Sequence, residues 1–395
     1  MSALGGVRVL EVGRVPPLEL PGMMLGDMGA DVVKIDMPPT EATTPAASRL
    51  QRHSHTNRNK RSIALNLKSK DGLAIFRQLA AGADVLVEGF RPGVMQRLGA
   101  GYEELAPGNP RLVYCSMSGF GQGGPYRDRP AHDLNFLALS GALSLWGRPG
   151  GSPDVPLNLV ADYGGAAMHA TLAIAFALLA RHATGRGQYI DIAYLDSTIA
   201  LLAATPNLRH LFPDGHQPAA GEGVFCGGYP YYGTYAARDG ELLAVACSEP
   251  HLWRNFCVAI GRRDLSSFSR SAAHYTRGPD REEVAARSQV AQVLATRDRE
   301  DWLRLFDGHD VCVSPVLTVA QMLKDQQVEA RCNVAGVADQ EGEVPQFTSP
   351  LRMSATPPEL RRPAPRVGQH TRELLLETSV QPDEIDRLIQ TGVVA

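Results

Sequence analysis

Apolar and polar positions along the first half of the chain follow two periods. Short aliphatic runs at 7–12, 32–35, 84–88, 112–116 and 188–193 predict strands. Between them apolar residues recur at helical spacing, with Met24, Leu25 and Met28 in the segment 21–28 and a second set in 72–80. A longer helix is expected over 168–182, where Leu172, Phe176 and Leu179 fall on one face. Strand, helix, strand repeated in this way builds βαβ units. The pattern therefore predicts a parallel sheet covered by helices, a doubly wound, Rossmann-like α/β domain.

Near residue 205 the texture changes. The stretch 208–228 is rich in Gly, Pro and His and reads as a linker. Two strand-like runs then follow, 229–236 and 241–247, separated by the four residues ARDG. Asp-Gly between such runs is a hairpin signal, so a smaller α+β domain with an antiparallel element is expected here. Helical spacing fills 250–326, prolines recur over 327–370, and a terminal helix is expected from Arg372. A chain of 395 residues exceeds the size of one ordinary core. The expected organisation is a large domain 1–205, a linker 206–228, a small domain 229–326, and a return segment 327–395 whose C-terminal helix packs on the large domain.

Composition narrows the classes. A net charge of −3 with 21% charged residues gives no basis for a nucleic-acid or membrane partner. The six cysteines are scattered without paired spacing, which suits reduced thiols in a cytoplasmic protein and not a disulfide framework or a metal site. No basic flank precedes an apolar core at the N-terminus. The most apolar stretch, 166–180, is interrupted by His169 and Thr171 and is too short to span a bilayer, so a soluble protein is expected.

Candidate chemistry starts with an absence. Gly13-Arg14-Val15-Pro16-Pro17 follows the first strand in place of a Gly-rich dinucleotide loop, and no Walker loop, zinc-protease helix or nucleophile elbow is present. The segment RHSHTNRNKR at 52–61 holds four permanent cations and two histidines and reads, by itself, as a solvated loop. Arg91, in GFRPG at 89–93, follows a predicted strand, where open α/β sheets bind ligands. Together these cations suggest a phosphorylated ligand. His132 and Asp133 precede an apolar helix, Asp162 precedes another, and Glu249 stands before Pro250 at the start of a third. Taken singly, each carboxylate is accounted for more readily by helix capping than by catalysis.

Read together, these segments resemble the class III CoA-transferase family, and within it the α-methylacyl-CoA racemase branch. The resemblance runs over nearly the whole chain: 7–36, NRNKRS at 57–62, ADVLVEGFRPG at 83–93, SGFGQGGP at 118–125, GYPYYGTY at 228–235 and RVGQHT at 366–371. The stretch between Thr40 and His55 is longer than the racemase pattern. The branch is carried by His132-Asp133, Asp162 and Glu249-Pro250, since the transferases resemble one another in having the aspartate but no histidine at the place of His132.

The resemblance implies a racemase that shuttles a proton at the carbon beside an acyl-CoA thioester, with His132 and Asp162 on opposite faces and Glu249 tuning them. It implies enolate stabilisation by N–H groups of a helix starting just after Asp162. It further implies that Glu249 is the like charge that raises the Asp162 pKa. It places CoA against Arg58, Lys60, Arg61, Arg91, Gly119, Gly121, Tyr126 and His132. Leu145, Trp146, Met168, Phe225 and Tyr229 are candidates for the acyl pocket. An interlocked homodimer is implied, the small domain of one chain contributing to its partner's site. CoA is part of the substrate, and no metal or other cofactor is implied. Two other readings compete: a CoA-transferase with Asp162 as nucleophile, and an acyl-CoA-binding protein without turnover.

Overall fold

The computed structural model describes residues 2–13, 15–39, 50–148 and 151–395. Most of the longer stretch at 40–55 therefore lies outside the described residues. The chain divides into two compact units, the first formed by Met1–Phe136, Leu157–Thr198 and Asp325–Ala395, the second by Leu137–Pro156 and Ile199–Lys324.

The first unit is built on β1 (Arg8–Val12), α1 (Glu19–Asp27), β2 (Asp31–Asp36), β3 (Lys60–Ala64), α2 (Lys70–Ala81), β4 (Val85–Glu88), β5 (Val113–Ser118), α3 (Asp133–Leu139), α4 (Met168–Thr184) and β6 (Tyr189–Ala193), which leads into α5 (Tyr194–Leu202). The six strands are all parallel, in the order β3-β2-β1-β4-β5-β6. Leu10 lies between Val33 and Leu86, and all three are fully buried. Continuous aliphatic strands of this kind belong in a sheet covered on both faces. The order reverses direction at β1, which makes the β1–β4 junction the switch point where doubly wound folds bind ligands.

Two expectations change here. The basic stretch ending in NKRS is no solvated loop: Lys60–Ala64 is the edge strand β3 and every residue in it is buried. The face of α4 is also reversed. Ala170, Ile174 and Ala177 are the buried residues, whereas Leu172, Phe176 and Leu179 are 49%, 66% and 71% exposed. Ala170, Ile174, Ala177 and Arg181 are set inside, and the three large apolar residues form an uncovered stripe. A π-helical segment, Leu159–Ala167, runs directly into α4. The combined 26-residue helix is, by length and composition, long and apolar enough to cross a membrane, unlike the shorter stretch expected from the sequence.

The chain returns to the first unit at Asp325, forming the hairpin β10 (Val334–Asp339) and β11 (Gly342–Phe347) and then α9 (Thr371–Glu377) and α10 (Pro382–Gln390). The hairpin was expected only as a proline-rich crossing. Leu374, Leu375, Ile385 and Leu388 share one buried cluster with Leu10 and Ile63. The Thr371 hydroxyl oxygen accepts the Ala64 N–H at 3.0 Å, which ties this terminal segment to β3.

The second unit contains the antiparallel strands β7 (Tyr232–Ala236), β8 (Leu242–Ala246) and β9 (Val313–Pro315), with α6 (Pro250–Ala259), α7 (Arg281–Leu294) and α8 (Arg299–Phe306). The turn between β7 and β8 uses Gly240 at φ +81°, the left-handed conformation that the Asp-Gly pair anticipates. Tyr229, Trp253, Phe256 and Trp302 fill its core. Residues 137–156 belong to this unit and not to the large domain. The expected linker 206–228 is also part of it: the Gly223 N–H donates to the Arg277 carbonyl at 3.2 Å, and Asn207 and Val224 are buried.

Candidate active site: a cleft beyond the carboxyl ends of the strands

In the first unit a cleft of about 500 Å³ opens beyond the carboxyl ends of β1, β4, β5 and β6. The loops after these strands line it: Val15–Pro17 after β1, Gly89–Pro92 after β4, Met117–Gly119 at the end of β5, and Tyr194 after β6. His132 and Asp162 line the same cleft, so residues separated by thirty positions in sequence face one cavity.

The two are joined through Asp133. His132 is exposed and its carbonyl accepts the Asn135 N–H at 2.8 Å at the start of α3, while its own N–H donates to Asn135 Oδ1 at 3.0 Å. Asp133, next in the chain, is buried, and its Oδ2 accepts the backbone N–H of Asp162 at 2.9 Å. Asp162 does not precede its helix: it lies inside the π-helical turn that begins at Leu159. π turns widen the backbone spiral and concentrate at functional sites. The Asp162 N–H, expected to be near the donors for an enolate oxygen, is thus already taken by Asp133.

The Asp162 carboxylate is half-buried and accepts from Asn158 Nδ2 at 3.1 Å. Burial pushes its pKa above the ordinary aspartate value, the Asn158 hydrogen bond opposes this, the charge of Asp133 adds to it, and His132 pulls back. Within the chain, the like charge beside Asp162 is that of Asp133. Glu249 is carried by the second unit, at the N-cap of α6. Its own pKa is lowered, first by the hydrogen bond from the Ser248 hydroxyl at 2.9 Å.

The expected phosphate contacts divide sharply. Arg58, Lys60 and Arg61 are 2%, 0% and 7% exposed and do not line the cleft. Arg58 grips Asp27 through Nε at 3.0 Å and Nη2 at 2.6 Å. Lys60 Nζ sits 2.8 and 2.7 Å from the two Glu11 oxygens. Arg61 reaches Asp31 at 2.6 Å and Glu373 at 2.6 Å, and also Glu377. Arg58 and Lys60 are held by buried carboxylates, because an unpaired charge there would be prohibitive, and Arg61 is held by the half-buried Asp31 and the exposed Glu373 and Glu377. Arg52, from the same stretch, is tied to Asp339 and to the Gly342 carbonyl at 2.7 Å.

Arg91 is different: it lines the cleft, is exposed, and its guanidinium has no partner among the described residues. Sequence reasoning missed two further arginines on the same cleft, Arg127 and Arg129. Arg127 is steadied by the Gln122 carbonyl at 3.1 Å, and Arg129 lies 3.9 Å above the Tyr126 ring. Gly119 lines the cleft, and a Cβ there would stand 3.1 Å from the Phe136 ring. Gly121, at φ +79°, shapes the turn behind it and does not line it. Tyr126 serves as the platform for Arg129 and is not itself a lining residue. Of the acyl-pocket candidates, Leu145, Trp146 and Phe225 line a separate cavity of the second unit, whereas Tyr229 is buried in its core against His274.

Among the described residues no group of three or more His, Cys, Asp or Glu side chains is arranged to hold a metal. What the cleft offers is a titratable pair beside a cationic rim. The histidine and the raised carboxyl can exchange protons, and the arginines suit an anionic substrate.

This fold and cleft define a doubly wound α/β protein with a histidine and an aspartate facing one cleft at its switch point. The chain belongs to the CoA-transferase family III, whose family model matches residues 4–371. It is 38% identical over 397 residues, 99% of this chain and 97% of the relative, to the alpha-methylacyl-CoA racemase of Mus musculus. It is also 34% identical over 392 residues, 95% of each chain, to the succinate–glutarate CoA-transferase of Agrobacterium fabrum. Among solved structures it resembles a CAIB/BAIF family protein from Brucella suis, with TM-score 0.79 and 28% identity over 95% of this chain and 99% of that one.

Proposed function

We propose that this protein is an α-methylacyl-CoA racemase that interconverts the 2R and 2S epimers of a 2-methylacyl-CoA through an enolate. The observation that carries the reading is the facing of His132 and a carboxyl of raised pKa, Asp162, into one cleft. Epimerisation needs one group to take the α-proton while another returns a proton to the opposite face. A histidine does either near neutrality, and an aspartate pushed above its ordinary value holds a proton long enough to donate it. The 38% identity to a racemase over the whole chain supports the same choice.

The CoA phosphates are assigned to Arg91, Arg127 and Arg129, which replace Arg58, Lys60 and Arg61 in that role. The uncovered stripe Leu172, Phe176 and Leu179 supports a homodimer, since exposed apolar patches mark interfaces. In that dimer Glu249 is assigned to the partner's site. CoA enters as part of the substrate, no other cofactor is invoked, and a cytoplasmic location fits the six cysteines, all of which are free thiols.

The second reading is CoA transfer, in which Asp162 attacks the thioester carbon to give a mixed anhydride and releases CoA thiolate. Its support is the 34% identity to a CoA-transferase. His132 distinguishes the two, because anhydride formation has no use for a second proton-transfer group. A single epimer of a 2-methylacyl-CoA incubated with the protein in deuterated water decides between them. Deuterium at the α-carbon together with the opposite epimer is the expected result. CoA appearing on an added free acid, with neither change, establishes transfer instead. Binding without reaction leaves a carrier. His132→Ala is expected to slow epimerisation by ~10²–10⁴ from at least one starting epimer, and full activity from both removes His132 from the mechanism.

A further inference from the structure

An enolate, or any thioester oxygen that gains charge, needs a fixed hydrogen-bond donor. The Asp162 N–H is committed to Asp133 at 2.9 Å, and the helix that holds Asp162 already starts at Leu159, so no open helix start follows Asp162 and the donor is sought elsewhere in the cleft. One polar group there stands unused. Tyr194 lines the cleft and is only 6% exposed, yet its hydroxyl has no hydrogen-bond partner among the described residues. Among the described residues the side-chain atoms that are both buried and unpartnered are Arg299 Nε and Gln346 Nε2, so the Tyr194 hydroxyl is open to the cleft and free to donate to what the cleft receives.

The surroundings hold Tyr194 rigidly. It follows the last residue of β6, and the next N–H, that of Leu195, donates to the Gly119 carbonyl at 3.2 Å. Its ring stacks on Phe136, with centroids 5.2 Å apart and planes 29° apart, and Phe136 in turn packs edge-on against Phe120 at 5.5 Å. Phe136 rides on α3, whose first turn begins at His132. The ring wall therefore links the β5 loop, the helix behind His132 and the end of β6. Tyr194 also feels the charge of Asp162, which adds to burial in pushing its phenol above the usual range. The hydroxyl thus keeps its proton at working pH and remains a donor.

We propose that the Tyr194 hydroxyl donates the hydrogen bond that stabilises the substrate's thioester oxygen as it becomes negative. Tyr194 is then a catalytic residue, and no bond to it forms or breaks: the phenol keeps its proton while the oxygen gains charge. The inference rests on the acyl-CoA reading above but not on which reaction follows. The same oxygen gains charge on enolisation and on attack by Asp162.

Tyr194→Phe tests it. The ring and its stack on Phe136 are kept, so the melting temperature should hold, and only the donor is lost. The expected result is a fall in kcat of ~10²-fold with little change in KM for the CoA thioester, since the donor acts on charge that develops in the transition state. α-Deuterium exchange should fall by the same factor as epimerisation, because both pass through the enolate. Tyr194→Leu, which also removes the stack, should lower the melting temperature as well, separating the ring's structural part from the hydroxyl's chemical one. Unchanged kcat in Tyr194→Phe, or a rise in KM with kcat preserved, overturns the proposal while the acyl-CoA reading stands. Wild-type protein that neither epimerises, exchanges nor transfers overturns that reading and this one with it.

Discussion

Glu88 offers a measurable consequence of building a cleft on strand ends. It closes β4, one residue before the loop that carries Arg91, and is 5% exposed. One oxygen accepts the Phe90 N–H at 2.8 Å and the other meets the Ser116 hydroxyl. Burial raises the carboxyl from 4.5 to about 7, with the Ser116 and Phe90 hydrogen bonds opposing it in part and the Asp191 charge adding to it. In the unfolded chain the group ionises near 4.5 and in the folded one near 7, so between these values the folded state holds the extra proton. The contribution is fully present below the unfolded value and is lost as pH rises through 7. By pH 8 ionising Glu88 in place costs about 3 kcal/mol, against less than about 1 kcal/mol at pH 5.

Glu88→Gln keeps the shape and stays neutral. Its amide oxygen can accept the Phe90 N–H, and its NH2 can donate to the Ser116 hydroxyl oxygen. Urea denaturation of both proteins at pH 5 and pH 8 is the assay. The stability of the variant relative to wild type should rise by about 2–3 kcal/mol between the two pH values. Any fixed cost of the amide cancels in that difference, as do the other groups that titrate in both proteins. A variant–wild-type gap that is the same at pH 5 and pH 8 refutes the reasoning.

Two further tests address the cations. Arg58→Ala strands Asp27 in the interior and should cost about 3–5 kcal/mol, read as a lowered melting temperature. An unaltered melting temperature with weakened CoA-thioester binding would return Arg58 to the ligand. Arg91→Ala removes a free charge at the cleft and should raise KM for the CoA thioester roughly 10- to 100-fold, the worth of a charge-assisted hydrogen bond, with kcat preserved. Unchanged KM in steady-state assays argues against phosphate contact.

Much of this was legible from pattern. The aliphatic strands β1, β2, β4, β5 and β6 announce a parallel sheet because such strands are buried on both faces and read as continuous apolar runs. The Asp-Gly pair at 239–240 announces its hairpin because the turn needs a residue at positive φ, which Gly240 supplies. The segments holding His132 and Asp162 were visible through family resemblance, since local spacing treats each as an ordinary helix cap.

The rest depended on partners far away in the chain. Strand β3 is written in lysine and arginine, and nothing local says that Arg61 meets Glu373, 312 positions later. Only the folded chain supplies the carboxylates that let these cations be buried, and so removes them from the ligand's reach. The helix α4 is apolar nearly all round, so periodicity could not choose its inner face. The sheet chose it, taking Ala170, Ile174 and Ala177 and leaving Leu172, Phe176 and Leu179 outside. In the cleft, too, the sequence determined that an aspartate and a histidine are present. Tertiary structure decided which like charge sits beside Asp162, that its N–H is occupied, and that Tyr194 is left with a free donor. Composition and period constrain what each segment buries, but charge pairing, desolvation and open hydrogen-bond capacity are properties of neighbours that only the fold brings together.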